Sequence, residues 1–434
     1  MSRALVEFLQ AEAAGGIVML GATFLALLVA NSVLAGAYEQ FWHQHAGLSL
    51  GRWRLDMTLH HWVNDGLMAV FFFLVGLEIK RELLFGELAS PRRAALPVLA
   101  AAGGAVVPAL LYLALNAGGE YAAGWGVPMA TDIAFAVTLL ALLGSHAPLW
   151  LKSFVTALAI ADDILAVLVI AVFYSGALDM TALAWAGGLI LALAGLNVAR
   201  VGRPAPYVLL GVVLWYFVLQ SGIHATIAGV AAAAFVPASL GHAADRIRLA
   251  ADALRDRPGA LGSADAPRER WEIVDEREAE LEDIAGAAMR QSAPLYRLEH
   301  AIHPWSAFLI LPLFAFANAG ILVSPGEIGA TLSGPLGLGI IVGLFVGKQV
   351  GITGAAFAAV RLGLGVLPEG ARWVQVWGGA ALAGIGFTMS IFIGSLAFPD
   401  PAALQSAKLA ILVASLLSAA AGVILLTLAG RAEA

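Results

Sequence analysis

Two adjacent aspartates, Asp162 and Asp163, lie inside an apolar run that extends from Leu149 to Tyr174. A helix over this run would be about 39 Å long, enough to cross a bilayer, with both carboxylates near its middle. Insertion of one central aspartate costs about 2.5–3.5 kcal/mol. Consecutive helical residues point about 100° apart, so one carboxylate can face a water-filled cavity while the other faces a neighbouring helix. The pair therefore predicts a functional site within the membrane.

Four further ionisable residues lie within or at the ends of apolar stretches: Asp65, Glu78, Asp132 and Lys348. Lys348 has glycines on both sides in LFVGKQVGI, which allow a neighbouring helix to approach closely. The chain uses arginine far more often than lysine, and a buried lysine can lose its proton where an arginine does not. We therefore expect Lys348 to pair with one of the adjacent aspartates and to take part in proton exchange.

The chemistry of these side chains suits a small hard cation. Carboxylates, hydroxyls and free backbone carbonyls are the ligands that such a cation prefers. Thr131 and Thr388 could contribute hydroxyls, although a threonine inside a helix about as often bonds its own backbone. The same carboxylates bind protons, so that sodium and protons compete for one place. Competition at a site that opens alternately to each side of the membrane produces antiport.

Other functions fit parts of the pattern. Buried ion pairs could serve solely to fix helix register. An intramembrane aspartyl protease could use Asp132 and Asp163, but its chemistry leaves Lys348 unexplained. A sodium-coupled symporter for an organic anion would share the architecture and hold fewer acids. The direction of proton movement under an imposed sodium gradient distinguishes these functions.

The composition is that of a polytopic α-helical membrane protein. Of the 434 residues, 60% are hydrophobic and 12% are charged, and the mean hydropathy is +0.86. The net charge of −6 is spread through loops and predicts no nucleic-acid partner. The absence of cysteine excludes disulfides and thiolate metal sites. We expect neither a cofactor nor an enzymatic activity.

Hydropathy predicts twelve transmembrane helices, the first of which is retained and not a cleaved signal. They lie near 12–35, 59–85, 95–116, 121–143, 150–175, 181–200, 205–219, 223–236, 301–322, 335–357, 372–397 and 403–430. Arginine and lysine are strongly enriched in the loops on the side of the N-terminus, which predicts that both termini are cytoplasmic. The whole chain, 1–434, is interpreted as one integral membrane transporter domain.

Four segments within this domain are distinct. Residues 48–57 predict a short periplasmic hairpin, and the charged segment 237–298 predicts a long cytoplasmic loop. Segments 95–175 and 335–430 resemble each other as two three-helix repeats. The middle helix of each is interrupted, by GVPMATDIAF (126–135) and GIGFTMSIF (384–392). Matched broken helices in two inverted repeats predict crossing segments and a binding site at the midplane.

A cluster of Glu299, His300 and His303 follows the long loop. The spacing could suit zinc, but three ligands within one helical turn have poor geometry without a fourth. Histidines at a cytoplasmic helix end, which titrate between about pH 6 and 8, favour a pH response instead. His224, at a helix start after Ser-Gly, fits a structural or a functional role equally well.

Seven motifs resemble the NhaA family of bacterial sodium/proton antiporters, and the similarity covers nearly the whole chain apart from 237–296. They are VNDGLMAVFFFLVGLEIKRELL, TDIAF, ALAIADD, SGIHATIAG, LEHAIHPW, LPLFAFANAG and GIGFTMSIF. The resemblance implies a pH-regulated exchanger of sodium or lithium for protons in the bacterial inner membrane. It also implies a homodimer whose contacts include the hairpin.

The resemblance further implies residue roles. Asp163 matches the principal cation ligand, and Asp162 its partner, which pairs with Lys348. Asp132 and Thr131 match the unwound crossing. The positions implicated in the pH response are Glu78, Arg81, Glu82, His224, Glu299, His300 and His303. Sodium that arrives at Asp163 can also weaken the Asp162–Lys348 pair, so we expect two protons per sodium ion and electrogenic exchange.

Overall fold

The computed structural model describes residues 3–50, 53–238, 293–322, 326, 328–368 and 370–431. These residues are mostly helical, with one small sheet. We number the helices α1 Arg3–Ala30, α2 Ala35–Trp42, α3 Leu59–Phe85, α4 Pro91–Asn116, α5 Ile133–Leu142, α6 Leu149–Phe173, α7 Met180–Val198, α8 Pro204–Gln220, α9 Ile227–Phe235, α10 Pro294–Asn318, α11 Ile328–Ser333, α12 Pro335–Arg361, α13 Trp373–Ala383, α14 Phe387–Ala397 and α15 Pro401–Arg431. The strands are β1 His45–Leu50 and β2 Trp53–Thr58.

The polytopic helical fold is confirmed. Eight described helical segments are long and apolar enough to cross a membrane, if Ala122–Leu142, which ends with α5, is counted as one, and two bent helix pairs raise this number to as many as ten. Each of the twelve predicted spans coincides with a helical segment. The spans predicted near 205–219 and 223–236 are the shorter helices α8 and α9. The first span ends at Ala30 rather than near residue 35, because the chain turns there by 116° into α2.

Proline residues begin several of these helices. Pro91, Pro204, Pro294 and Pro335 are the first residues of α4, α8, α10 and α12. The proline ring fixes φ near its helical value, and its missing N–H would have no partner at a helix start in any case. Helical spans also satisfy the backbone hydrogen bonds internally, as the hydrocarbon layer requires.

The predicted hairpin is present and is longer than the sequence indicates. Strands β1 and β2 pair antiparallel, from His45 opposite Thr58 to Leu50 opposite Trp53. The prediction of 48–57 therefore includes half of β1 and most of β2. The indole of Trp62 donates a 2.8 Å hydrogen bond to the carbonyl of Ala46, which ties the hairpin to α3.

Both predicted helix interruptions are present. In the first, a 3₁₀ segment at Ala122–Met129 is followed by residues 130–132 in non-helical conformation, and α5 begins at Ile133. In the second, α13 and α14 meet at an angle of 46°. That these segments belong to inverted repeats, 95–175 and 335–430, stays a prediction.

The close helix contact expected beside Lys348 is also present. A side chain at Gly347 would place its Cβ 2.8 Å from the Cα of Pro108 in α4, and one at Gly351 would lie 2.2 Å from the carbonyl oxygen of Gly103. No real Cβ fits at such distances. The two glycines therefore allow α12 to pack directly on the backbone of α4, which fixes the position of Lys348.

Most of the predicted cytoplasmic loop, residues 239–292, lies outside the described residues. Its last residues, from Pro294 onwards, already belong to α10; that 237–298 is a cytoplasmic loop stays a prediction. The amide of Leu295 donates a 3.2 Å hydrogen bond to the carbonyl of Pro237. The two ends of this segment are thus adjacent in space.

Candidate cation site

The two interrupted segments cross at Thr131 and Asp132. The amide of Asp132 donates to the carbonyl of Ile385 at 2.7 Å, and the hydroxyl of Thr131 donates to the carbonyl of Ala383 at 2.8 Å. These two carbonyls belong to the end of α13 and to the break that follows it. Backbone groups that the interrupted helix leaves without intrahelical partners are thereby satisfied from the opposite segment.

The carboxylate of Asp132 caps two helices at once. Its Oδ1 accepts a 3.2 Å hydrogen bond from the amide of Phe135 in the first turn of α5. Its Oδ2 accepts a 3.0 Å bond from the amide of Thr388 in the first turn of α14 and a second bond from the hydroxyl of the same residue. Negative charge is stabilised at helix N-termini. Asp132 therefore holds the crossing together.

Lys348 and Asp162 form a fully buried ion pair. Lys348 Nζ lies 2.8 Å from Asp162 Oδ2, and the two side chains are 0% and 1% exposed. The same ammonium donates to the hydroxyl of Thr131 at 2.9 Å, which links the pair to the crossing. Asp162 Oδ1 is buried and has no hydrogen-bond partner among the described residues. The pair as a whole carries no net charge.

Asp163 differs from Asp162 in its surroundings. It is 3% exposed, and no hydrogen bond to its carboxylate is present among the residues that the structure describes. Its side chain lines a cavity that Thr131, Asp132 and Thr388 also line. A carboxylate that is buried, faces a cavity and lacks a protein partner is available to a cation or a proton.

The cavity has a volume of about 60 Å³, which is enough for a few water molecules. Beyond Asp163 it extends past Glu78 of α3 to His303 of α10, with Gly15 and Gly16 of α1 on another wall. Glu78 and His303 lie in the halves of their helices that the charge pattern predicts to be nearer the cytoplasm. The cavity therefore extends from Asp163 towards those halves.

The residues expected to respond to pH occupy four separate places. Glu78 and His303 line the cavity. Arg81 forms an ion pair with the buried Glu299, and its second guanidinium nitrogen lies 3.5 Å from Glu82 Oε1. Neither of the two remaining histidines lines the cavity. His300 is exposed and its Nδ1 lies 2.9 Å from the carbonyl of Tyr296. His224 lies 3.9 Å from Asp65 Oδ1, and its ring packs edge-on against Phe392 at 5.8 Å.

Zinc binding by Glu299, His300 and His303 finds no support. Within the described part of the chain, no group of three or more His, Asp or Glu residues is arranged to hold a metal ion. The helix separates the three side chains, because Glu299 faces Arg81 whereas His300 faces outwards.

Of two further residues at the crossing, Thr388 was a candidate hydroxyl ligand from the sequence and Ser390 was assigned no role. Thr388 makes two of the hydrogen bonds to Asp132, and Ser390 donates a 2.8 Å bond to the carbonyl of Val127 in the 3₁₀ segment. Both belong to the motif GIGFTMSIF, in which the glycines marked the break. The hydroxyl residues that follow such a break are the available signal, since the start of α14 needs partners there.

A polytopic helical protein with crossing interrupted segments, a buried ion pair and a free carboxylate in a cavity has the architecture of a secondary cation transporter. A family model described as Na+/H+ antiporter 1 matches residues 6–426. Three similar proteins each carry the name Na(+)/H(+) antiporter NhaA; the one from Acidithiobacillus ferrooxidans is 48% identical over 96% of this chain and 95% of its own. Those from Bordetella parapertussis and Rhodospirillum rubrum are 47% and 46% identical, over 97% and 99% of this chain and 96% and 98% of theirs. The chain belongs to the NhaA family of sodium/proton antiporters.

Proposed function

We propose that the protein exchanges sodium or lithium ions for protons by alternating access, with Asp163 as the principal ligand of the cation. The observation that carries this proposal is the carboxylate of Asp163, which lines the cavity and accepts no hydrogen bond from the described residues. Thr131, Asp132 and Asp162 complete the site as neighbouring oxygen donors. Hard oxygen ligands of this kind favour small hard cations.

Exchange follows from competition for Asp163. A buried carboxylate is stable with a bound cation or a bound proton, whereas the uncompensated anion is costly in a low-dielectric site. The site therefore changes its access from one side of the membrane to the other with either a cation or a proton bound to Asp163. In this scheme sodium binds from the cytoplasm through the cavity beside Glu78 and leaves on the opposite side, where protons replace it.

We further propose that the exchange is electrogenic, with two protons for each sodium ion. Asp163 releases one proton when the cation binds. The positive charge that arrives beside the Asp162–Lys348 pair weakens their attraction, and this coupled unit releases the second proton. The result is one net charge per cycle, worth about 2.3 kcal/mol per 100 mV. Proton entry then drives sodium out of the cell.

Regulation, assembly and location complete the proposal. Glu78 and His303, which line the cavity, set the pH response together with Arg81, Glu82, His224, Glu299 and His300. The protein is a homodimer in the bacterial inner membrane, with both termini in the cytoplasm and the hairpin in the periplasm at the dimer contact. The monomer is the transport unit, because one chain supplies all the residues of the site.

The test uses Asp163→Asn in membrane vesicles, with a pH-sensitive dye to follow protons when sodium is added. An amide neither exchanges a proton near pH 7 nor attracts a cation, so exchange and sodium binding should be lost. Asp163→Glu should retain some binding with altered affinity. Asp179→Asn is the matched control, because Asp179 is exposed and caps α7, a role that asparagine fills equally well. Wild-type exchange by Asp163→Asn at all pH values would refute the assignment.

A further inference from the structure

The site proposed above is built from two elements whose distance from each other must stay fixed. Asp162 and Asp163 lie on α6, whereas Thr131 and Asp132 follow the 3₁₀ segment Ala122–Met129. Affinity for the cation depends on the distance between these two sets of oxygens. A residue that locks the 3₁₀ segment to α6 would therefore act on the site without touching the ion.

Tyr174 makes such a lock. It follows the last residue of α6 and reaches the 3₁₀ segment with its hydroxyl group, which donates to the carbonyl of Ala123 at 2.7 Å and accepts from the amide of Gly126 at 3.2 Å. The hydroxyl thus acts as donor and as acceptor to the same short segment. Beside this contact, the rings of Phe173 and Trp125 pack edge-to-face with their centroids 5.0 Å apart.

The backbone of the 3₁₀ segment is shaped for this contact. A Cβ at position 126 would lie 2.7 Å from the tyrosine hydroxyl and 3.2–3.3 Å from its ring carbons, so glycine is needed there for the tyrosine to reach the amide. The segment is also fixed by Tyr112, which donates to the carbonyl of Tyr121 at 2.7 Å, and by Ser390 at Val127. Of these three hydroxyls, that of Tyr174 alone comes from the helix segment that carries the two aspartates.

We propose that Tyr174 is a positioning residue that sets the affinity of the site for sodium, by holding the 3₁₀ segment in register with α6. The inference rests on the proposed role of Asp163. Eleven residues of continuous chain, most of them in α6, join Tyr174 to Asp163, and six residues join Gly126 to Asp132. The two hydrogen bonds therefore connect the two chain segments at one end, and the cation site lies at their other end.

The test is Tyr174→Phe, which removes both hydrogen bonds and leaves the ring. Because only part of the lost hydrogen bonding acts on the cation site, the sodium concentration for half-maximal exchange should rise roughly three- to tenfold, equivalent to about 0.7–1.4 kcal/mol, with the maximal rate unchanged. Tyr207→Phe is the matched control, because the hydroxyl of Tyr207 is fully buried in α8 and has no partner in the described structure. It should leave the half-maximal concentration as it is in the wild type.

A second variant guards against a general loss of stability. Gly126→Ala should displace the hydroxyl and raise the half-maximal sodium concentration, and Tyr174→Phe/Gly126→Ala should show less than the sum of the two effects. A lower melting temperature with unchanged sodium affinity would show a purely structural role and overturn the inference. Unchanged affinity in Tyr174→Phe, with exchange lost in Asp163→Asn, would overturn it while leaving the proposed function intact. Wild-type behaviour of both Tyr174→Phe and Asp163→Asn would refute the proposed function as well.

Discussion

Breaking the Asp162–Lys348 pair should produce a large and specific loss of stability. Lys348→Gln removes the ammonium that lies 2.8 Å from Asp162 Oδ2. Since Asp162 Oδ1 already lacks a partner in the described structure, the variant leaves a buried carboxylate without any compensating charge. Asp162→Asn leaves the complementary problem, a buried ammonium whose partners, the hydroxyl of Thr131 and the new amide oxygen, carry no negative charge.

The size of the effect follows from the burial of the pair. Removal of one partner of a fully buried ion pair costs about 3–5 kcal/mol, whereas replacement of both partners by neutral groups is often without cost. We therefore expect each single variant to lose about 3–5 kcal/mol at pH 8. Asp162→Asn/Lys348→Gln should lose much less than the sum, because its two amides carry no charge and can bond each other. For Lys348→Gln the deficit should shrink as the pH falls, since protonation of Asp162 removes the uncompensated charge.

Reversible unfolding in detergent, followed by intrinsic fluorescence at pH 8 and pH 5, measures all four proteins of this cycle. Asp179→Asn serves again as the control for the loss of an exposed carboxylate. Additive losses in the double variant, or single variants as stable as the wild type, would refute the reasoning, because the two charges would then not depend on each other.

The same Lys348→Gln protein also identifies the group that releases the second proton. Exchange of one proton per sodium, without response to membrane potential, would assign that proton to the lysine, and unchanged electrogenicity would assign it to Asp162.

Two further predictions concern segments away from the site. Deletion of the hairpin residues 48–57 should shift the protein towards monomers in detergent and leave vesicle transport largely intact; light scattering and dye assays measure this, and well-folded monomers without transport would contradict it. Replacement of residues 239–292 by a linker of about six residues should preserve exchange while it shifts the pH profile or lowers expression, because Pro237 and Leu295 already meet at 3.2 Å. Shortening the connection about ninefold should favour the folded state by about 2 kcal/mol, and a well-folded deletion without any exchange would contradict a merely modulatory role.

The crossing was predictable because its signals are local. Pro128, Thr131 and Asp132 interrupt one apolar run and two glycines interrupt another, and a broken helix must satisfy its free backbone groups somewhere. The pairing of Lys348 with one of two adjacent aspartates was predictable for a similar reason, since an isolated charge at the midplane is costly. That Asp162 is the paired residue came from the resemblance to the family.

The contacts that depend on three-dimensional packing were not predictable. Thr388 reaches Asp132 across 256 positions of the chain, and nothing in either local sequence specifies the other. The start of α10 was missed because hydropathy marks the apolar part of a helix and not its polar first turns; Pro294 was the signal that hydropathy overlooks. The histidine cluster was read as one unit from spacing alone, whereas the helix directs Glu299 and His300 to different surroundings.

The structure gives a physical reason for two acids in one membrane helix. Asp162 is compensated by Lys348, so that the cost of burying its charge is offset within the protein. Asp163 lines the cavity, and in the proposed mechanism the cost of burying its charge is offset by the sodium ion or the proton that it binds. A single acid could not serve both stability and turnover. A strong partner within the protein would exclude sodium from its carboxylate, and without such a partner the carboxylate would be an uncompensated anion each time sodium leaves. In the proposed mechanism, the ion at Asp163 weakens the neighbouring Asp162–Lys348 pair while the pair stays in position, and this division of roles is what would couple the arrival of one sodium ion to the departure of two protons.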